Sequence, residues 1–192
     1  MTRIFLIGYM GVGKTTIGKA LAARLQLPFY DLDTYIENRR RKKVAELFGE
    51  LGEEGFRRIE HNMLHEVAEF EDVIVSCGGG TPCFFDNIDY MNRQGQVVWL
   101  NATTDVLVKH LRMARVERPL LKGKSEEELF DFIDRQLQAR APFYSKAHYS
   151  LDVTLLDSHK QINNTIDQLL ELLPPLPPLP PQLLYLLNSQ IT

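Results

Sequence analysis

Cysteine is scarce in this 192-residue chain, and two other features are missing that would place it in a specialised class. Cys77 and Cys83 are the only cysteines, so they can build neither a disulfide framework nor, alone, a four-ligand zinc site. The formal net charge is -3, without the basic excess of nucleic-acid-binding proteins. The first apolar run, IFLIG, is too short for a signal sequence or a membrane span. We therefore expect a cytoplasmic protein with neither nucleic-acid nor membrane partners.

Short apolar runs alternate with longer amphipathic stretches along the chain. Strands are predicted at RIFLIG (Arg3 to Gly8), PFYDLD (Pro28 to Asp33), DVIVSC (Asp72 to Cys77), QVVWLN (Gln96 to Asn101) and SLDVTLL (Ser150 to Leu156). Helical material is predicted from Thr34 to Glu69, with an interruption at Gly49 to Gly55, and again from the capping box SEEE at Ser125. This order predicts an α/β fold, a parallel sheet with helices on both faces.

The stretch GYMGVGKT, Gly8 to Thr15, fits the phosphate-binding pattern G-x-x-x-x-G-K-[ST]. It follows a predicted strand and opens a predicted helix, which is the context that the pattern requires. Glycines let backbone N–H groups approach phosphate oxygens, Lys14 can reach the β and γ phosphates, and the Thr15 hydroxyl can ligate Mg²⁺. A glycine-rich turn without nucleotide is the alternative. A guanine-reading N-K-x-D is absent from the sequence, which disfavours a GTPase.

Two carboxylates follow in the second predicted strand. Asp31 and Asp33 are spaced i, i+2, so in an extended chain their side chains project to one face. They are expected at the carboxyl edge of the sheet, where ligands of α/β proteins bind. One carboxylate can organise Mg²⁺ and its waters, and the other can accept a hydrogen bond from a hydroxyl. A solvated turn at the strand end is the alternative.

The motif FRRIE places Arg57 and Glu60 on one helix face, where the acid can orient the guanidinium to grip a ligand carboxylate. A surface ion pair is the alternative. The triple glycine Gly78 to Gly80 follows a buried strand and permits close backbone approach to a ligand, although a tight turn would use the same residues. Arg140, in RAPFY, is a further candidate for binding an acidic group.

The segment RMARVERPLLKGK, Arg112 to Lys124, is dense in cations and interrupted by Arg118-Pro119. Such a segment near an ATP site can close as a lid and place an arginine against the transferring phosphoryl group. Taken alone, it also fits a solvated loop.

In order and spacing, the motifs GYMGVGKT, DLD, FRRIE, GGGT, RPLL and RAPFY resemble the shikimate kinase family over Met1 to Leu173. The resemblance implies a P-loop fold with a five-stranded parallel sheet and a core like that of nucleoside-monophosphate kinases. It also implies one kinase domain over 1–173, with a helical substrate-binding subdomain at about 34–60 and a lid at about 112–124. The implied reaction is Mg²⁺-assisted, ATP-dependent phosphorylation of shikimate to shikimate 3-phosphate, on the route to chorismate and aromatic amino acids. The implied state is a monomer.

The resemblance further implies roles for the matching positions. Catalysis would use Lys14, Asp33 and Arg118. ATP would be bound by Gly11, Val12, Gly13, Lys14, Thr15, Thr16, Arg112 and Arg118. Shikimate would be bound by Asp33, Arg57, Gly78, Gly79, Gly80 and Arg140. Mg²⁺ would be held by Thr15 and, through water, by Asp31.

The residues alone are compatible with two other functions. Another small-molecule P-loop kinase, such as one acting on gluconate, shares the phosphate loop but is disfavoured by FRRIE, GGG and RAPFY together. A regulatory module that binds ATP without transferring phosphate has no need of Lys14, Thr15, Asp31, Asp33 and Arg118 as a set. The tail at 174–192, with PPLPPLPP, lies outside the family pattern and predicts a projecting linker or a ligand for a proline-binding module.

Three further patterns carry weaker expectations. The basic run Arg39 to Lys43 lies near several glutamates and predicts a solvated helix face. His61 and His65 are spaced i, i+4 and could share a metal ion, but no third ligand is apparent, so surface positions are expected. Cys77 is expected to be packed in the interior, and the sequence assigns no role to Cys83.

Overall fold

The computed structural model describes residues 1–113, 125–154 and 156–175. Its five-stranded sheet is parallel throughout, with the strand order β2-β3-β1-β4-β5. The strands are β1 (Arg3–Ile7), β2 (Phe29–Asp31), β3 (Val73–Ser76), β4 (Gln96–Asn101) and β5 (Tyr149–Asp152). The helices in the described ranges are α1 (Lys14–Leu25), α2 (Leu32–Arg40), α3 (Val44–Ala68), α4 (Asn87–Gln94), α5 (Thr104–Met113), α6 (Glu126–Tyr144) and α7 (His159–Leu172), with a 3₁₀ turn at Thr81–Cys83.

The central strand β1 explains how the sheet is buried. Ile4 and Leu6 belong to one hydrophobic cluster, and Phe5 and Ile7 belong to a second cluster on the opposite face. All four side chains are fully buried, because alternate residues of a strand point to opposite faces and helices cover both. The predicted α/β sandwich with a five-stranded parallel sheet is therefore confirmed.

The second strand is shorter than predicted, and this changes the setting of one site residue. Strand β2 ends at Asp31 and α2 begins at Leu32, so Asp33 lies in the first turn of a helix and not in an extended chain. The reason is local: the Asp31 carboxylate accepts a hydrogen bond from the Thr34 N–H at 3.3 Å and so caps the helix. The argument from i, i+2 spacing in a strand was therefore wrong for Asp33.

The helical region after β2 also differs in detail. A break separates α2 from α3 around Arg41, which has a left-handed φ of 54°, and the expected interruption appears as a kink at Gly52, with φ 67° and ψ -178°. The basic run spans this break and does not form one helix face. Three of its cations pair with acids, in the contacts Lys42–Glu50 at 2.6 Å, Arg39–Glu66 at 2.7 Å and Lys43–Glu37 at 2.8 Å.

The remaining predictions fit with small shifts. Strand β5 is Tyr149–Asp152, not Ser150 to Leu156, and the capping box at Ser125 forms through two bonds with Glu128 of 2.8 and 3.1 Å. Residues 114–124 of the expected lid, which include Arg118, and residues 176–192 of the tail lie outside the described ranges. In the described ranges, helices that are both long and apolar enough to cross a membrane are absent.

Candidate active site

A cavity of about 620 Å³ opens at the carboxyl ends of the parallel strands. The chain segments that leave β1, β2 and β3 all reach it, which is where open α/β sheets bind ligands. Twelve of the residues predicted from the sequence line this one cavity: Gly11, Gly13, Lys14, Thr15, Thr16, Asp31, Asp33, Arg57, Gly78, Gly79, Gly80 and Arg140.

The phosphate loop connects β1 to α1 through a tight turn. Gly8, Gly11 and Gly13 have φ values of 139°, 82° and 100°, a region that residues with a Cβ rarely adopt. The Lys14 ammonium donates to the carbonyl oxygens of Gly8 at 2.8 Å and Tyr9 at 2.9 Å. The loop is thus arranged to hold an anion at the start of α1, where backbone N–H groups supply partial positive charge.

Beside the loop, a hydroxyl and a carboxylate suit a magnesium ion. Thr15 Oγ1 donates to Asp31 Oδ2 at 2.8 Å, so the end of β2 and the start of α1 bring two oxygen donors together. Mg²⁺ prefers such hard oxygen ligands, usually one or two from the protein, with water and phosphate oxygens completing the shell. The residues present therefore fit this ion.

The triple glycine is where the parts of the site meet, because each glycine faces a different functional group. An added Cβ at Gly78 would lie 3.2 Å from Asp33 Oδ1 and 2.8 Å from Glu60 Oε1. At Gly79 it would lie 3.3 Å from Arg140 Nη1, and at Gly80 2.5 Å from Arg57 Nη2. The absence of side chains on this turn lets the acid and both arginines converge.

Arg57 is held by acids and aromatic rings. It is 9% exposed, and its guanidinium contacts Glu60 at 2.7 Å and Glu53 at 3.3 Å. Its Cζ lies 4.2 Å from the centroid of the Phe84 ring, a cation–π contact. Glu60 is 1% exposed and also accepts from the Thr81 hydroxyl at 2.5 Å. The predicted pairing of Arg57 with Glu60 is therefore confirmed, and it is a buried pair, not a surface one.

A further feature of Arg57 is its Nε–H donor. Its Nε is buried and has no hydrogen-bond partner within the described ranges. A buried unpaired donor is unfavourable, and a ligand carboxylate at this wall of the cavity would satisfy it.

Asp33 carries the clearest electrostatic signature in the cavity. Burial first, and then the nearby carboxylates of Asp31 and Glu60, raise the pKa of Asp33 to about 6. Lys14 and Arg57 act in the opposite direction. The side chain itself opens onto the cavity, so it can meet a ligand there. A carboxylate with a pKa close to neutrality is suited to taking up a proton during a reaction.

Arg140 approaches the same space from α6. Its Cζ lies 5.3 Å from the Tyr9 ring centroid, and its Nη2 donates to Gln136 at 3.0 Å. One helical turn further on, the Tyr144 hydroxyl donates to the Gly79 carbonyl at 2.5 Å and so ties α6 to the glycine turn.

Two predicted residues within the described ranges stand apart from the cavity lining. Val12 has its side chain fully buried in the core, which leaves only its backbone for a ligand. The Arg112 guanidinium pairs with Glu126 at 2.9 Å on the exposed side of α5 and α6, so the structure does not bring it to the cavity. Arg118 lies outside the described residues.

Sequence reasoning missed several residues that shape the site. The His110 ring contacts the Gly11 carbonyl oxygen through Nδ1 at 2.8 Å, and its Nε2 accepts from the Leu156 N–H at 3.0 Å, which braces the phosphate loop. Phe48 and Phe84 flank Arg57. A lone histidine or phenylalanine has no local pattern that indicates such a contact. Cys77, by contrast, is packed as expected, with its Sγ 3.6 Å from Met91 Sδ, and burial raises the pKa of its thiol.

A phosphate loop on a parallel sheet, facing an acceptor wall of acid and arginine, defines the class of small-molecule P-loop kinases. Within that class, the family model described as "Shikimate kinase" matches residues 10–173. The chain belongs to the shikimate kinase family.

Individual relatives agree with this assignment. The shikimate kinase of Phocaeicola vulgatus is 58% identical over 169 residues, which are 88% of this chain and 97% of that protein. A crystal structure of shikimate kinase from Bacteroides thetaiotaomicron is 56% identical, with a TM-score of 0.87 over 89% of this chain and 97% of that one. A structure of the Acinetobacter baumannii enzyme in complex with shikimate is 28% identical, with a TM-score of 0.76 over 90% and 92%.

Membership confirms three predictions: the P-loop fold, the kinase class, and ATP-dependent phosphorylation of shikimate as the activity.

Proposed function

We propose that this chain transfers the γ-phosphoryl group of ATP to a hydroxyl of shikimate in the cavity between the phosphate loop and α3. The observation that carries the proposal is the convergence of Asp33, Arg57 and Arg140 on the triple glycine, directly beside the loop. This arrangement offers a base and two cations to an acceptor that carries both hydroxyl and carboxylate groups, and shikimate is such a molecule.

The donor side binds ATP through the phosphate loop. Backbone N–H groups from Gly11 to Thr16 would surround the phosphates, and Lys14 would exchange its two carbonyl contacts for phosphate oxygens. Thr15 and Asp31 would hold Mg²⁺, which when bound neutralises charge on the β and γ phosphates.

The acceptor side binds the carboxylate of shikimate. Arg57 and Arg140 supply the cations, and the unpaired Nε of Arg57 supplies a donor already held in place by Glu60. Gly79 allows the ligand to approach the backbone at the point where Arg140 comes nearest. Orientation of the acceptor is the main contribution of these residues, because phosphoryl transfer depends on position and charge more than on covalent chemistry.

Asp33 would accept the proton of the attacking hydroxyl. As the acceptor oxygen forms its bond to the γ-phosphorus, the bond from that phosphorus to the β-phosphate oxygen breaks, ADP leaves, and the proton passes to Asp33. Lys14 would stabilise negative charge that spreads over the transferring group, and Arg118 of the lid would add a second cation. We assign the phosphorylated position to the 3-hydroxyl, with a monomeric enzyme acting in the cytoplasm, on the family resemblance.

The test is ADP release from Mg-ATP with shikimate, gluconate, a nucleoside monophosphate or no acceptor. We expect ADP formation with shikimate alone. Turnover with gluconate and not with shikimate would overturn the proposal, and ATP binding without transfer to any acceptor would favour a regulatory module. Phosphorus NMR of the product identifies the hydroxyl, and sedimentation velocity measures the oligomeric state.

A further inference from the structure

A second group of polar side chains lies where α3 packs against α4, outside the cavity lining. His61 and His65 occupy successive turns of that helix, and their ring centroids are 4.3 Å apart. The carboxylate of Asp86, just before α4, completes the group: one ligand atom from each of the three residues lies within 4.8 Å of the other two. The sequence showed the histidine pair without a third ligand, and the fold brings one from 21 residues further along the chain.

His61 is already oriented as a metal ligand. Its Nδ1 lies 2.6 Å from Asn87 Oδ1, and Asn87 Nδ2 donates to the Thr81 carbonyl oxygen at 2.8 Å. Because the Thr81 bond assigns the amide nitrogen, the oxygen faces His61, and Nδ1 must be the nitrogen that carries hydrogen. Nε2 therefore has the lone pair, and a polar partner on the other ring nitrogen is what ligating histidines usually have.

The second histidine of the group, His65, has a buried ring nitrogen. Its Nε2 is buried and has no hydrogen-bond partner among the described residues. Its ring stacks on Tyr90, with 3.6 Å between centroids and 11° between planes, which fixes the ring beside His61.

Asp86 supplies the charge. Arg93 Nη2 contacts its Oδ2 at 3.1 Å, and the second carboxylate oxygen can serve a cation. Although Asp86 is the residue before α4, its side chain makes no capping bond to that helix. The carboxylate therefore does not make the capping contact that is usual for an aspartate directly before a helix.

We propose that His61, His65 and Asp86 bind a borderline transition-metal cation, Zn²⁺ or Co²⁺, outside the reaction centre. Two imidazoles and one carboxylate suit such ions, with water as the fourth ligand, whereas Mg²⁺ prefers oxygen ligands alone. The bound ion would join α3, which carries Arg57 and Glu60, to the segment before α4.

The test is titration of nucleotide-free, Mg²⁺-free enzyme with CoCl₂, followed by visible absorption, and with ZnCl₂, followed by thermal unfolding. We expect one equivalent of Co²⁺ with bands of a four-coordinate ion. Zn²⁺ in about hundredfold excess over its dissociation constant is expected to raise the unfolding midpoint by roughly 5 °C. His65→Gln should weaken binding at least about 100-fold, and Asn87→Ala about tenfold, because it frees the His61 ring.

His159→Gln is the matched control, since His159 is exposed at the start of α7 and far along the chain from the cluster. It should bind both ions as the wild type does. His65→Gln should retain turnover of shikimate with Mg-ATP, which shows that the variant folds. Co²⁺ binding of equal strength in the wild type and His65→Gln would overturn the proposal, as would equal losses in His65→Gln and His159→Gln.

Discussion

The two halves of the cavity are built by different physical means. The phosphate loop is held by backbone geometry: Gly8, Gly11 and Gly13 adopt positive φ, and the Lys14 ammonium is bonded to main-chain carbonyls. The acceptor wall is held by side-chain charge: Glu60 is buried and its carboxylate orients Arg57. A backbone cradle depends on one short segment, whereas a charge network depends on residues from several elements that the fold must bring together.

This difference predicts which properties a mutation in each half will change. Loss of a side chain from the donor half should lower the rate and leave the fold intact, because the loop is shaped by its glycines. Loss of the Arg57 charge from the acceptor half should change binding and stability together, because the buried Glu60 is then left without its cation.

The largest expected effect comes from Lys14→Ala. We expect kcat to fall about 1000-fold, since the ammonium is removed from the transferring phosphoryl group, while the unfolding midpoint changes little. Steady-state ADP release and thermal unfolding measure the two quantities. Lys19→Ala, an exposed substitution on the same helix, should match the wild type. A near-normal kcat in Lys14→Ala would contradict the assigned role.

A smaller loss is expected for Asp33→Asn, about 100-fold in kcat, because the amide cannot take up the proton of the acceptor. The pH profile gives the sharper measurement. Since the pKa of Asp33 is raised to about 6, kcat/KM of the wild type should fall as the pH drops below that value. The residual activity of Asp33→Asn should lack this acidic limb. An unchanged limb in the variant would assign it to another group.

Two substitutions at Arg57 test the acceptor half, because together they separate the effect on shikimate binding from the effect on stability. Arg57→Lys keeps the charge beside Glu60 but removes the planar fork, so KM for shikimate should rise about tenfold with KM for ATP unchanged. Arg57→Ala should also lower the free energy of unfolding by about 3 kcal/mol, because it leaves the buried Glu60 unpaired.

The neighbouring Arg58→Ala is the control for both, since Arg58 is exposed and pairs with Glu54 on the solvent side. It should change neither KM nor the denaturant midpoint. If ATP affinity fell in Arg57→Lys while shikimate affinity held, the division of the cavity into two halves would be wrong.

The same division explains which parts of the site could be predicted from the sequence. Lys14, Thr15 and the loop glycines lie within one stretch of eight residues, so one motif predicts their geometry, and the strand pattern predicts the sheet beneath them. The setting of Asp33 was mispredicted, because the capping bond from Asp31 starts α2 earlier than the apolar pattern indicates. Glu60, Phe84 and the glycine turn meet only through tertiary packing, and local spacing carries no signal for such contacts.

The smallest effect concerns stability, and its sign follows from the raised pKa of Asp33. Between the ordinary value of 3.8 and about 6, the folded chain holds this proton more tightly than the unfolded chain does. Stability is therefore lost as the pH rises through that window, and above it the charged carboxylate opposes folding.

Asp33→Asn removes that charge, so the enzyme should become slightly more stable as it becomes less active. Because the side chain opens onto solvent in the cavity, we expect a rise in the unfolding midpoint at pH 8 of only about 1–2 °C. At pH 5, where Asp33 is mostly protonated, the gap should narrow. Asp131→Asn, on the exposed side of α6, controls for loss of one negative charge and should show no such pH dependence. A gap that widened toward pH 5 would mean that the acceptor half stabilises its central carboxylate in the charged form, and the proton acceptor of the reaction would have to be sought elsewhere.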